Sequence, residues 1–166
     1  MPLLQTCLAA LSNFATDPRI RDKIIEGGLL IRVSDLFEIY ADVETIQLDL
    51  IFFVRNCLRT EPSIGQITLN RLPQILPAIR ALTNSLKSLT NQLPFEYNSQ
   101  SNWKEEQVVE GLAMILDSLL LLTMPVNFLL YQDLASQNEL HDILSRIVET
   151  YCSNSEADPV LLCLCL

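Results

Sequence analysis

The chain has 166 residues, of which 49% are hydrophobic and 19% charged, and its formal net charge is −9. This length and composition predict one globular domain rather than a disordered chain. The acidic balance argues against a nucleic-acid partner, which requires a basic face, and four glycines leave little material for a phosphate-binding loop.

The sequence predicts no membrane span. The longest apolar stretch, residues 112–131, is interrupted by Asp117, Pro125 and Asn127, whereas a spanning helix needs about 20 mostly apolar residues. The five cysteines are odd in number and irregularly spaced, which is typical of reduced thiols. The C-terminus formally fits a prenylation pattern at Cys163, but no polybasic segment precedes it, and the end of an apolar helix also explains it. We therefore expect a cytoplasmic protein that could also be nuclear.

Apolar residues recur at helical spacing along nearly the whole chain, and alternating strand patterns are scarce. Asp17 and Pro18 together form a helix start, and Gly27-Gly28 ends that helix because glycine tolerates the left-handed cap conformation. Asp42 is expected to cap a later helix. The predicted helices are residues 3–15, 19–25, 29–40, 43–59, 72–89, 103–123, 126–134 and 139–152, with a last one starting at Pro159.

Two features of the sequence recur at an interval that spans three predicted helices. Pro18 and Pro62 are 44 positions apart, and Asn13 and Asn56 are 43 positions apart. A period of about 40–47 residues with three helices per unit indicates a helical solenoid. After residue 90 the register slips, and a polar segment at about 91–102 is expected to be a flexible insertion. The final unit is expected to be truncated.

The segment ALSNFA, followed by Asp17-Pro18, the turn EGGLL and then Leu36-Phe37, resembles an armadillo repeat. Such repeats have an A-L-x-N-φ-A third helix, a short first helix, a glycine turn and an amphipathic second helix. The resemblance is good over residues 3–60, fair to about 90 and weak beyond. It implies an all-α, right-handed superhelix of about three incomplete repeats, forming a single domain over residues 1–166.

The resemblance also implies a kind of site. In peptide-binding members of the family, third helices line a concave groove, an Asn on each bonds the ligand backbone, and a Trp four residues earlier walls the side-chain pockets. Asn13 and Asn56 match the Asn position. The Trp position falls on Ala9 in one unit and on Phe52 in the other. We therefore expect apolar contact and amide hydrogen bonds to a partner segment.

The predicted function is a non-enzymatic scaffold or adaptor that binds an extended or helical segment of another protein along this groove. The residues expected to line it are Gln5, Ala9, Asn13, Asp49, Phe52, Asn56, Arg59, Met114 and Ser118, the last two from a third unit. Alternatively, each Asn bonds a neighbouring loop carbonyl and stabilises the stack. The whole chain could also be a fragment or short isoform that completes a longer solenoid without a ligand of its own. Exposed ends would then allow self-association.

No set of residues with the spacing of a catalytic or metal site is evident. The single histidine, His141, lacks a second metal ligand three or four residues away. Cys163 and Cys165 are too close together and too isolated for a zinc site. We therefore expect no enzymatic activity, no cofactor and no metal.

Overall fold

A computed structural model describes residues 2–59, 72–91, 105–120 and 140–152 of the chain. Over these ranges all regular secondary structure is α-helical, so the predicted all-α class is confirmed for them. The helices are α1 (Pro2–Phe14), α2 (Pro18–Glu26), α3 (Leu29–Ile39), α4 (Glu44–Leu58), α5 (Leu72–Thr90), α6 (Glu105–Leu120) and α7 (Leu140–Cys152). The predicted bounds of α1 to α5 agree with these within about two residues.

Several predictions lie outside the described residues. They are the insertion beyond Asn91, the helix predicted at 126–134, the helix starting at Pro159 and the environment of Cys163. Pro77 lies inside α5.

The start of α2 forms as the sequence predicts. Asp17 is the N-cap, its side chain accepts a hydrogen bond from the Arg19 backbone N–H at 2.8 Å, and Pro18 is the first helical residue. The Asp17 carboxylate also pairs with the Arg19 guanidinium at 3.1 Å, and these two contacts lower the pKa of Asp17. The helix start is therefore fixed by local chemistry alone.

The predicted cap at Asp42 is wrong. The N-cap of α4 is Val43, which makes no side-chain cap hydrogen bond, and the helix begins at Glu44. The Val43 N–H donates to the Tyr40 carbonyl at 3.0 Å, which closes a turn with Asp42 inside it. Asp42 is therefore one residue too early to cap the first turn of α4.

The turn between α2 and α3 needs a glycine at its second position. Gly28 has a φ of +71°, in the left-handed region, and serves as the N-cap of α3. A Cβ atom placed there would meet only the Ile31 Cδ1 atom, at 3.9 Å. The requirement for glycine is thus a backbone requirement and not one of space.

The Gly28→Ala variant is expected to lower the free energy of unfolding by about 1–2 kcal/mol, because an L-residue is strained in this conformation. Gly28→Asn should lower it less, since Asn tolerates the left-handed region better. Urea unfolding followed by far-ultraviolet circular dichroism measures both. Equal stability of Gly28→Ala and the unaltered chain would contradict the assigned turn.

The chain divides into two compact units, Met1–Ala81 and Leu82–Leu166, and the boundary falls inside α5. In the first unit α4 is the central helix, in contact with α1, α2 and α3. Its sequence explains this position, because apolar side chains surround most of its circumference. Nine of its residues are buried, among them Ile46, Leu50, Ile51, Phe53, Val54, Cys57 and Leu58.

The second unit contains α6 and α7. Helix α6 buries Val108, Leu112 and Ile115, and α7 buries Ile143 and Ile147, all at helical spacing. The Arg146 guanidinium donates a hydrogen bond to the Asn91 side-chain oxygen at 3.1 Å. The single domain over residues 1–166 stays a prediction.

Candidate functional site

The predicted groove residues of the first unit lie on α1 and α4, which run side by side. The Gln5 side-chain amide donates a hydrogen bond to the Asp49 carboxylate. The Asn56 amide nitrogen donates to the Ser12 carbonyl oxygen at 3.2 Å, across 44 positions of sequence. Gln5 and Asp49 have the same separation. Because both pairs are 44 positions apart and lie at different points along the helices, α1 and α4 run parallel.

Phe52 is the most exposed apolar side chain of α4. It is 41% exposed, whereas its neighbour Phe53 is fully buried. Asp49 precedes Phe52 by three positions on the same helix and is half-buried, and Ala9 on α1 is exposed. Arg59, the C-cap residue of α4, is also exposed. The first unit therefore presents an apolar ring together with a carboxylate, and α4 ends in a guanidinium.

The two equivalent asparagines occupy different environments. Asn13 is exposed on α1. Asn56 is only 6% exposed, and its amide nitrogen is bonded to the last turn of α1. The acceptor belongs to a helix and not to a loop, but the bond holds neighbouring helices together in the same way. Of the two residues, Asn13 is the one whose position leaves it open to a ligand.

The Asn56 bond completes the C-terminal end of α1. The last carbonyls of a helix have no partner inside it. In the turn that follows, backbone N–H groups donate to the carbonyls of Leu11, Asn13 and Phe14, but not to that of Ser12. The Ser12 carbonyl instead accepts the amide of Asn56. Asn56 thus caps the end of α1 from α4, a helix that is distant in sequence but adjacent in space.

Gln47 has the same role at the end of α3, and the sequence analysis missed it. Its side-chain amide donates to the carbonyls of Phe37 and Tyr40, both at 2.9 Å. Gln47 shares an otherwise apolar stripe of α4 with Ile51 and Val54, at positions i+4 and i+7. A polar residue on such a stripe must find a partner when it is buried, and this was the available signal.

Met114 and Ser118 belong to α6, in the second unit. Met114 is half-buried. Ser118 is buried, and its hydroxyl donates to the Met114 carbonyl oxygen at 2.7 Å inside the same helix. Gln5, Ala9, Asn13, Asp49, Phe52, Asn56 and Arg59 all lie in the first unit, whereas Met114 and Ser118 lie in the second. Of the seven, the structure brings Gln5 and Asp49 into direct contact.

Burial raises the pKa of the Asp49 carboxyl, and the hydrogen bond from Gln5 partly offsets this rise. A carboxyl with a higher pKa in the folded chain than in the unfolded chain binds its proton more tightly when folded. The free energy of unfolding therefore falls as pH rises from the ordinary value of 3.8 through the raised pKa.

We expect Asp49→Asn to be more stable than the unaltered chain at neutral pH. The variant removes the partly desolvated charge and keeps an oxygen that accepts the Gln5 amide. Its advantage should shrink on acidification and disappear below the ordinary value of 3.8. Urea unfolding over a pH series measures the difference, and an advantage that grows on acidification would contradict this assignment.

In the described part of the chain, no three His, Cys, Asp or Glu residues are arranged to hold a metal ion. Burial raises the pKa of the Cys57 thiol to about 12, against a smaller opposing effect of Arg21. None of the described helices has the length and apolar character needed to cross a membrane.

Comparison of the chain with protein-family models, curated proteins and solved structures found no match.

Proposed function

We propose that the chain is a non-enzymatic scaffold or adaptor that binds a segment of another protein along the surface formed by α1 and α4. The observation that supports this function is the exposure of Phe52. A 41% exposed phenylalanine stands on a helix that otherwise buries most of its apolar side chains. Large apolar side chains of this kind are the usual anchors of protein interfaces.

The proposal includes an armadillo-like superhelix. The order of a short helix, α2, an amphipathic helix, α3, and a longer helix, α4, agrees with one three-helix unit. The parallel packing of α1 and α4 agrees with successive third helices. The repeat of Asn13 at Asn56, 43 positions later, fits the same arrangement.

The partner segment is expected to combine an apolar side chain with basic groups. Phe52 would receive the apolar side chain. The net charge of −9 favours a basic partner by long-range attraction. Asn13 would bond the partner's main chain, and the proposed setting is the cytoplasm or the nucleus.

A peptide library displayed on phage tests this proposal with the full chain as bait. We expect enriched peptides whose affinity falls about tenfold or more with Phe52→Asp, since a charge replaces the apolar anchor. Ile39→Asp is the matched control, because Ile39 on α3 is 67% exposed and lies outside the groove. Enriched peptides that bind both variants equally well would remove the groove role.

A second candidate function is that of a structural segment completing a longer solenoid. The commitment of the Asn56 amide to Ser12 favours it, because this bond stabilises the stack and serves no ligand. Under this function the phage selection yields no peptide whose binding depends on Phe52. The same experiment therefore separates the two candidates.

A further inference from the structure

Helix α1 carries an apolar surface that no other described helix of the first unit covers. Leu3 is 77% exposed and Phe14 is 55% exposed, and Ala10 and Asn13 are exposed between them. Their spacing places all four on one side of the helix, opposite the buried residues Leu8 and Ser12. We call Leu3, Ala10, Asn13 and Phe14 the α1 end face.

The equivalent residues on α4, 43 positions later in the sequence, are buried. Ile46 and Phe53 are fully buried, Cys57 is 3% exposed and Asn56 is 6% exposed. They lie in the unit where α1, α2 and α3 pack on α4, and Asn56 bonds α1 directly. The face of α4 that its neighbours cover therefore corresponds, 43 positions earlier in the sequence, to the face of α1 that remains exposed.

The charge of α1 limits what can bind there. Residues 2–14 contain no Asp, Glu, Lys or Arg, although the chain as a whole carries a net charge of −9. A charged partner surface would lose its hydration on the α1 end face without gaining an ion pair. An uncharged, apolar partner surface is therefore favoured.

The α1–α4 interface supplies the template for the partner. There α1 lies parallel to α4, contributes the buried Leu8 and Ser12, and offers a last-turn carbonyl to Asn56. We propose that the α1 end face binds an amphipathic helix of a partner protein, parallel to α1. Its contact stripe is uncharged and combines leucine with small residues, and its last-turn carbonyl accepts the amide of Asn13.

This inference develops the second candidate function, and it assigns Asn13 to the α1 end face in place of the groove at Phe52. It treats the α1 end face as a continuation of the α1–α4 contact by one more helix. The partner helix takes the place that α1 takes on α4. A second copy of the chain is the competing occupant.

A peptide with the sequence of residues 2–16 serves as the probe, since α1 itself presents the required stripe. A lactam bridge between positions 6 and 10 fixes the helix, because so short a helix is marginal in water. These positions lie away from Leu8 and Ser12. The peptide carries a fluorophore, and anisotropy with the full chain measures its affinity.

We expect saturable binding that weakens about tenfold or more with Leu3→Asp or Phe14→Asp in the chain, because each places a charge in an apolar contact. Asn13→Ala should weaken it about fivefold, the effect of one hydrogen bond. Ile39→Asp in the chain should leave it unchanged. A peptide with Leu8→Asp should not bind.

Three results would overturn the proposal. The first is the absence of saturable binding. The second is binding that Phe14→Asp does not weaken, which would mean that the peptide displaces α1 from α4. The third is concentration-dependent association of the chain alone in sedimentation, abolished by Phe14→Asp, which would assign the α1 end face to a second copy. Circular dichroism of each variant verifies that the exposed substitutions leave the helices intact.

Discussion

Phe53→Ala is expected to lower the free energy of unfolding by about 3–5 kcal/mol, the usual range for a buried phenylalanine. Phe53 is among the largest fully buried side chains, and it lies on the central helix of the first unit. Truncation leaves a cavity in the core of the first unit, and close packing around α4 limits how far the cavity can collapse. Urea unfolding followed by circular dichroism measures the loss.

The adjacent phenylalanine provides the control. Phe52 is 41% exposed, so Phe52→Ala should change the free energy of unfolding by about 1 kcal/mol or less. The two variants have the same composition and differ only in which side of α4 is altered. Similar losses for both would contradict the burial of Phe53 and the exposure of Phe52.

Local sequence was sufficient for much of the fold. The Asp17-Pro18 start depends on a contact between residues two positions apart, and Gly28 on the conformation of one residue. Such features are readable from sequence because their causes lie within a few residues. The Asp42 cap was predicted by the same reasoning and is wrong, because a turn closed by Val43 shifts the helix start by one position.

The environments of the two asparagines could not be predicted in this way. Asn13 and Asn56 have equivalent places in a repeated pattern, yet one is exposed and the other buried. The difference arises because a helix packs on that side of α4, and no described helix of the first unit packs on the same side of α1. Periodicity identifies equivalent positions, but it does not say which of them a neighbour will cover.

Gln47 shows a related limit. Glutamine is a good helix former, so its presence in α4 gives no local conflict. Its role depends on the C-terminal end of α3 lying beside the start of α4. There its amide donates to two carbonyls, both at 2.9 Å. Helix α4 thus supplies two buried amides, from Gln47 and Asn56, that complete the C-terminal ends of other helices.

Asn56→Asp is therefore expected to destabilise the chain by about 3 kcal/mol or more at neutral pH. The variant removes the donor to the Ser12 carbonyl and places a buried carboxylate against that oxygen. Asn56→Ala should lose less, about 1–3 kcal/mol, because it leaves the carbonyl without a donor but adds no charge.

The pH dependence separates these two causes. A carboxylate in this place has a pKa raised by burial and by the carbonyl dipole, so the folded state binds its proton more tightly than the unfolded chain does. The penalty of Asn56→Asp should then shrink as pH falls, because a protonated carboxyl can again donate to Ser12, whereas that of Asn56→Ala should stay constant. Asn13→Asp, at the exposed equivalent position, should change the free energy of unfolding by under about 1 kcal/mol. If Asn13→Asp and Asn56→Asp destabilise the chain equally, the bond between α4 and the end of α1 does not hold these helices together.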